Sequence, residues 1–203
     1  MKEKQQVLHL HGGMPAISHK NYLNMISSWS YNPWNISIRW SKRYSKFLNE
    51  NFEIIRPDMP NSDYASYEAW DIWFQKALPY LKNNLTLVGH SLGGGFLMKW
   101  LAQNKLPITV KQLHLVAPTF DYTTEDYILG DFSLKEFPGK FFDNNISEVH
   151  IYHSKDDPEV PISESEKYHS LLLESHFHIF EDRGHFLGEE FPELFENIKK
   201  SQT

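Results

Sequence analysis

The chain has 203 residues, a formal net charge of −6 and no cysteine. That length favours one domain over residues 1–203, and the missing cysteine excludes disulfides, a cysteine nucleophile, iron–sulfur clusters and thiolate zinc sites. Apolar residues at 40% and charged residues at 23% exclude gross disorder, and with no Lys/Arg stripe to bind phosphates nucleic acid is not an expected partner.

In chain order, Val7-Leu8-His9-Leu10 predicts a short strand that runs into the loop His11-Gly12-Gly13. The charged start and this short apolar stretch lack the long apolar region of a signal peptide. No stretch reaches the roughly 18 apolar residues of a membrane span, so a cytoplasmic protein is expected. Residues 14–39 carry Tyr22, Trp29, Tyr31 and Trp34 without a regular period and lead to a helix over 40–48. A strand is expected at 52–55, stopped by Pro57 and Pro60. Trp70, Trp73, Phe74 and Leu78 recur at helical spacing over 65–81 and are expected to pack on a sheet. Next come a strand at 85–88, a helix over 92–102 and a strand at 112–116. Residues 119–145 form a second irregular segment with five Phe and two Tyr. A strand at 149–152, a helix over 163–173, a strand at 177–180 and a helix over 190–199 complete the chain, with Pro192 in the first turn of the last. Six strands separated by helices predict an α/β fold, a mainly parallel sheet with helices on both faces.

Gly89-His90-Ser91-Leu92-Gly93 matches G-x-S-x-G, with a strand before it and a helix after it. This context presents a serine hydroxyl on a sharp strand-to-helix turn. The turn brings the residues two before and two after the serine together, so a β-carbon at Gly89 or Gly93 would clash. Gly94 and Gly95 each lower helix propensity by about 1 kcal/mol relative to alanine, a cost that fits tight packing of the helix start.

A serine hydroxyl needs a base, and the base needs an orienting carboxylate. In this fold the chain order is serine, acid, histidine. His185, in Gly184-His185-Phe186 beyond the last strand, is the expected base, which predicts activity that falls on acidification. Asp156, Asp157 and Glu159 compete for the acid. Asp157 is preferred because Val160 and Pro161 pin its loop, while Asp156 is expected to cap the turn and Glu159 to be solvated. The oxyanion donors are expected to be the N–H of Leu92 and that of Gly13, with Met14 as the alternative. His11 is expected to support that loop. The His9-x-His11 and His176-x-His178 spacings have no carboxylate cluster beside them, so neither a metal nor any cofactor is expected.

His-Gly-Gly at 11–13, Met59-Pro60, Gly-His-Ser-Leu-Gly at 89–93, Asp156-Asp157-Pro158 and Asp182-Arg183-Gly184-His185-Phe186 together resemble the small α/β-hydrolases typified by retinoblastoma-binding protein nine and its bacterial relatives. The resemblance spans nearly the whole chain and implies a serine hydrolase with Ser91 as nucleophile, Asp157 as acid and His185 as base. It differs in a longer segment before Trp40 and in the two glycines after the elbow. The function expected is cleavage of a small carboxylic ester, thioester or related acyl substrate through an acyl-enzyme. The alternatives are amide or peptide cleavage by the same three residues, or a protein-binding role on a weakly catalytic scaffold. The two aromatic segments, 14–34 and 120–142, are expected either to cover Ser91 as an acyl pocket or to pack in the core.

Overall fold

The central strands are buried on both faces, so they need cover on both sides. A computed structural model describes residues 3–16, 18–30, 32–34, 39–124, 128–135 and 139–202. Six strands, β1 (Gln5–Leu10), β2 (Phe52–Ile55), β3 (Leu85–His90), β4 (Val110–Val116), β5 (Ile146–Ser154) and β6 (His176–Phe180), form one sheet in the order β2-β1-β3-β4-β5-β6. Every neighbouring pair is parallel. Each expected strand is present, most with slightly longer ends.

Side chains alternate between the two faces. Leu8, Leu10, Leu85, Leu87, Leu113, Leu115 and Ile151 belong to one core, packed with Trp70, Phe74, Phe96 and Tyr168. These last four come from α3 (Tyr67–Ala77), α4 (Leu92–Gln103) and α5 (Ile162–Leu171). Val7, Val88, Val116 and Tyr152 belong to a second core with Tyr44, Phe191, Leu194, Phe195 and Ile198. That side is covered by α2 (Tyr44–Phe47) and α6 (Pro192–Lys200). Burying each such large apolar side chain contributes about 1.5–3 kcal/mol.

Four expectations need correction. Residues 14–39 are not wholly irregular: α1 spans His19–Ser28, with the Ser18 hydroxyl accepting from the Asn21 N–H. The helix expected over 40–48 is divided into a 3₁₀ turn, Trp40–Lys42, and the single-turn α2. The last helix starts at Pro192 rather than 190, with proline in its first turn as expected. On α3, Trp70 and Phe74 are buried but Trp73 is 44% exposed. Trp73 lies about 60° around the helix from Trp70, on the side away from Phe74, and meets solvent beside Lys76.

The order of connections reverses between β1 and β3. Ligands of open parallel sheets bind at such a point, outside the carboxyl ends of the strands. The loop at His11 and the elbow at Ser91 both leave the sheet there.

Candidate active site

Ser91 sits between β3 and α4 at φ 55°, ψ −123°, a left-handed conformation that costs a non-glycine residue about 1–3 kcal/mol. Its surroundings hold it there. The Ser91 N–H donates to Val116 O (2.8 Å), and the Gly94 and Gly95 N–H groups donate to Ser91 O (2.9 and 3.2 Å). A β-carbon on Gly89 would lie 2.6 Å from Gly94 Cα, and one on Gly93 would lie 2.5 Å from the carbonyl oxygens of both Leu10 and His11. The expected clash at both glycines is therefore real. A β-carbon on Gly94 would meet Pro118, and one on Gly95 would meet Thr119. The extra glycines thus let the start of α4 press on the loop after β4.

The loop after β5 supplies Asp157, whose Oδ2 lies 2.8 Å from His185 Nδ1. Its Oδ1 accepts the N–H groups of Glu159 (2.8 Å) and Val160 (3.0 Å). Burial alone would raise this carboxyl, but His185 and the two N–H groups hold it below its ordinary range. Asp156 does more than cap its own turn. Its Oδ1 takes the Ser154 hydroxyl (2.5 Å) and reaches across to the Gly184 N–H (2.9 Å), so it braces the histidine loop. Glu159 is exposed, as expected. His153, wholly buried, bonds Ser165 Oγ (2.7 Å) and Val160 O (2.9 Å) and packs 3.7 Å from Asp157 Oδ2. Burial lowers its pKa, which keeps it neutral.

His185 is brought beside the elbow by residues that sequence reasoning left aside. His90 Nε2 donates to His185 O (2.9 Å), and the two rings lie 4.9 Å apart. Trp40 Nε1 donates to Phe186 O (2.8 Å), and Gly188 O accepts the Trp40 N–H (2.9 Å). Among the described residues no hydrogen bond joins Ser91 Oγ to the His185 ring. Such bonds are often long before substrate binds.

In the loop after β1, His11 Nδ1 donates to Gly12 O (2.6 Å) and His11 Nε2 accepts the Met59 N–H (2.8 Å). His11 is thus a brace, as expected. The Met14 N–H is committed to Ser62 O at 2.7 Å, which removes Met14 as an oxyanion donor. Gly13 packs on Ser62 O and the Trp70 ring, while Gly12 faces Ser91: a β-carbon on Gly12 would lie 3.1 Å from Ser91 Cβ. Leu92 opens α4, where an N–H has no intrahelical acceptor.

The paired histidines serve packing. The His9 ring stacks on Trp40 at 5.3 Å. His176 and His178 share a sheet face, as expected, with rings 4.7 and 5.4 Å from that of His150. His114 stacks on His150 in turn at 4.8 Å. Among the described residues no group of three or more His, Asp or Glu is placed to hold a metal ion.

The aromatic segments divide. Phe120, Phe132 and Phe141 are core residues, and Phe132 lies 5.2 Å from Trp70. Trp29, Trp34 and Phe142 are exposed. Tyr31, Tyr127 and Phe137 lie outside the described residues. A cavity of about 290 Å³ separates the two segments, lined by Pro15, Ala16, Tyr64, Ala65, Ile128 and Asp131 among others. Among the described residues its lining includes one aromatic, Tyr64, with small, aliphatic and polar residues around it.

The profile of a family described as serine hydrolase matches residues 37–200. No curated protein sequence matches the chain. Among solved structures, the ydeN gene product of B. subtilis superposes with a TM-score of 0.75 at 20% identity, covering 98% of this chain and 99% of that one. An esterase from Exiguobacterium antarcticum gives a TM-score of 0.61 at 18% identity, covering 100% and 94%. Est1E from Butyrivibrio proteoclasticus gives 0.60 at 16%, covering 100% and 88%. The fold is the α/β-hydrolase fold of these neighbours.

Proposed function

Because the chain belongs to the serine hydrolase family, we propose that Ser91, His185 and Asp157 are its nucleophile, base and acid, and that it cleaves small carboxylic esters or related acyl compounds. The observation that carries this reading is the 2.8 Å bond from Asp157 to His185 Nδ1, made beside a serine held at positive φ on a glycine-packed elbow. A neighbour of the same fold is named an esterase, which favours ester over amide.

The steps follow from the groups. Asp157 accepts from Nδ1 and so leaves Nε2 of His185 free to take the Ser91 proton. The Ser91 oxygen attacks the acyl carbon, and the leaving alkoxide receives that proton from His185. Water then repeats the sequence in reverse and releases the acid. The N–H groups of Leu92 and Gly13 stabilise the oxyanion, each donor typically contributing about 3 kcal/mol. The same reading makes residues 1–203 one catalytic domain, and the cysteine-free chain suits a reducing cytoplasm.

The test is labelling by a fluorophosphonate probe, with p-nitrophenyl esters of increasing chain length as substrates. Labelling of the wild type that disappears in Ser91→Ala, with matching loss of turnover, supports the reading. An unlabelled wild type, or equal labelling of the variant, overturns it.

A further inference from the structure

His90 fills the variable position of the elbow pentapeptide, where the turn itself requires no particular side chain. Its surroundings are specific. It ends β3, is buried, and contacts the candidate base twice, once through the main chain and once through the ring. His185 O can only accept, so the 2.9 Å contact places a proton on Nε2 of His90. The ring faces, 4.9 Å apart and inclined by 38°, leave His185 little room to rotate. Behind His90, the Trp40 indole approaches its ring at 6.0 Å and also donates to Phe186 O. Two buried side chains, His90 and Trp40, therefore hold the main chain at residues 185 and 186.

Resting on the reading of Ser91 and His185 given above, we propose that His90 is a positioning residue for the base. It holds the His185 main chain and ring face so that, with Nδ1 on Asp157, Nε2 is presented to Ser91. For this it must stay neutral, because an imidazolium here would oppose the charge His185 acquires in catalysis. The groups facing it are His185, Arg39, Asp157 and His9. Burial, then the charge of His185, pushes the His90 pKa down to about 3. The elbow thus provides both the nucleophile and, one residue earlier, the support of its base.

The test compares His90→Gln, which keeps an N–H donor, with His90→Phe, which keeps a ring and loses the donor. With p-nitrophenyl acetate as probe, His90→Phe is expected to lose about tenfold or more in kcat, since misplacing a catalytic group is costly. KM should stay within about twofold, and the acidic limb of the pH–rate profile should move. His90→Gln should recover most of the lost rate. A folded His90→Phe with kcat and pH profile of the wild type overturns the proposal, as does a His90→Gln impaired as severely as His90→Phe. Imidazole NMR of the wild type gives a second readout independent of variant folding. His90 should keep its Nε2 proton, without titrating, from pH 7.5 to 5, and a ring that titrates near the ordinary histidine value overturns the proposal. Fluorophosphonate labelling of the wild type separates the two levels: a labelled wild type with unaltered His90 variants rejects only the positioning role.

Discussion

Asp157 and His185 meet across 2.8 Å, with Oδ2 on Nδ1, while Oδ1 of the same carboxylate is occupied by two backbone N–H groups. The carboxylate is thereby fixed before any substrate arrives. Asp157→Asn keeps the shape but offers Nδ1 a donor in place of an acceptor, which selects the wrong tautomer. It is expected to lower kcat by about 10³–10⁴, measured with a p-nitrophenyl ester alongside thermal unfolding to show that the fold persists.

Asp156 gives the contrasting case. It braces Gly184 and Ser154 without touching the His185 ring. Asp156→Ala should therefore reduce kcat by less than about tenfold, through a looser histidine loop. A loss as large as that of Asp157→Asn would mean that the roles of the two aspartates are reversed.

The glycines around the elbow separate stability from activity. Gly93→Ala drives a methyl group into two backbone carbonyls that cannot move independently, and a loss of about 3 kcal/mol in urea unfolding is expected. Gly12→Ala meets the Ser91 side chain, at 3.1 Å from Cβ and 3.5 Å from Oγ, and His90 O only at 3.5 Å, an ordinary contact. It should change stability by less than about 1 kcal/mol yet lower kcat about tenfold by crowding the hydroxyl.

The stacked histidines predict acid sensitivity of the fold. Burial lowers the pKa of His114, His150 and His178, with neighbouring histidines adding to the effect and His150 reaching about 4. The unfolded chain, with ordinary values near 6.5, takes up protons first as pH falls. Stability is therefore full above about pH 6.5 and declines toward pH 4, by up to about 1.4 kcal/mol per pH unit for each histidine held neutral. Urea midpoints at pH 7.5 and 5.5 measure this. His150→Gln should flatten the difference, and equal slopes in the two proteins would refute the assignment.

Much of this arrangement was legible in the residues. Strands read directly because Leu, Val and Ile runs flanked by turn residues have one stable use in a parallel sheet. The sharp turn at Ser91 read directly because Gly89 and Gly93 report a steric requirement that the structure reproduces. What escaped were contacts made across the chain. His90 looks like filler until His185 O is placed against it, and Trp40 looks like core until its indole reaches Phe186 O. Helix α1 was missed because its apolar residues Tyr22, Met25 and Ile26 are only partly buried, so its periodicity is diluted by polar neighbours. Phe132 left two alternatives open, and the structure takes the core one: an aromatic in an irregular segment packs on Trp70 as firmly as a helical one.

The glycine contacts of the elbow also set an order of assembly. Ser91 is held at positive φ by Val116 O, by the carbonyls beyond β1 and by the packing of Gly94 and Gly95 on Pro118 and Thr119. These partners come from two separated stretches, residues 10–11 and 116–119, the second nearly thirty residues beyond the serine in sequence. A chain that ends before β4 contains the whole pentapeptide, yet it lacks Val116 O and the packing on Pro118 and Thr119 that oppose relaxation of Ser91 to an ordinary backbone conformation. Such a fragment should leave the fluorophosphonate probe untouched. On the proposed reading the nucleophile is thus a property of the assembled sheet, and its reactivity is expected only when β4 has closed on β3.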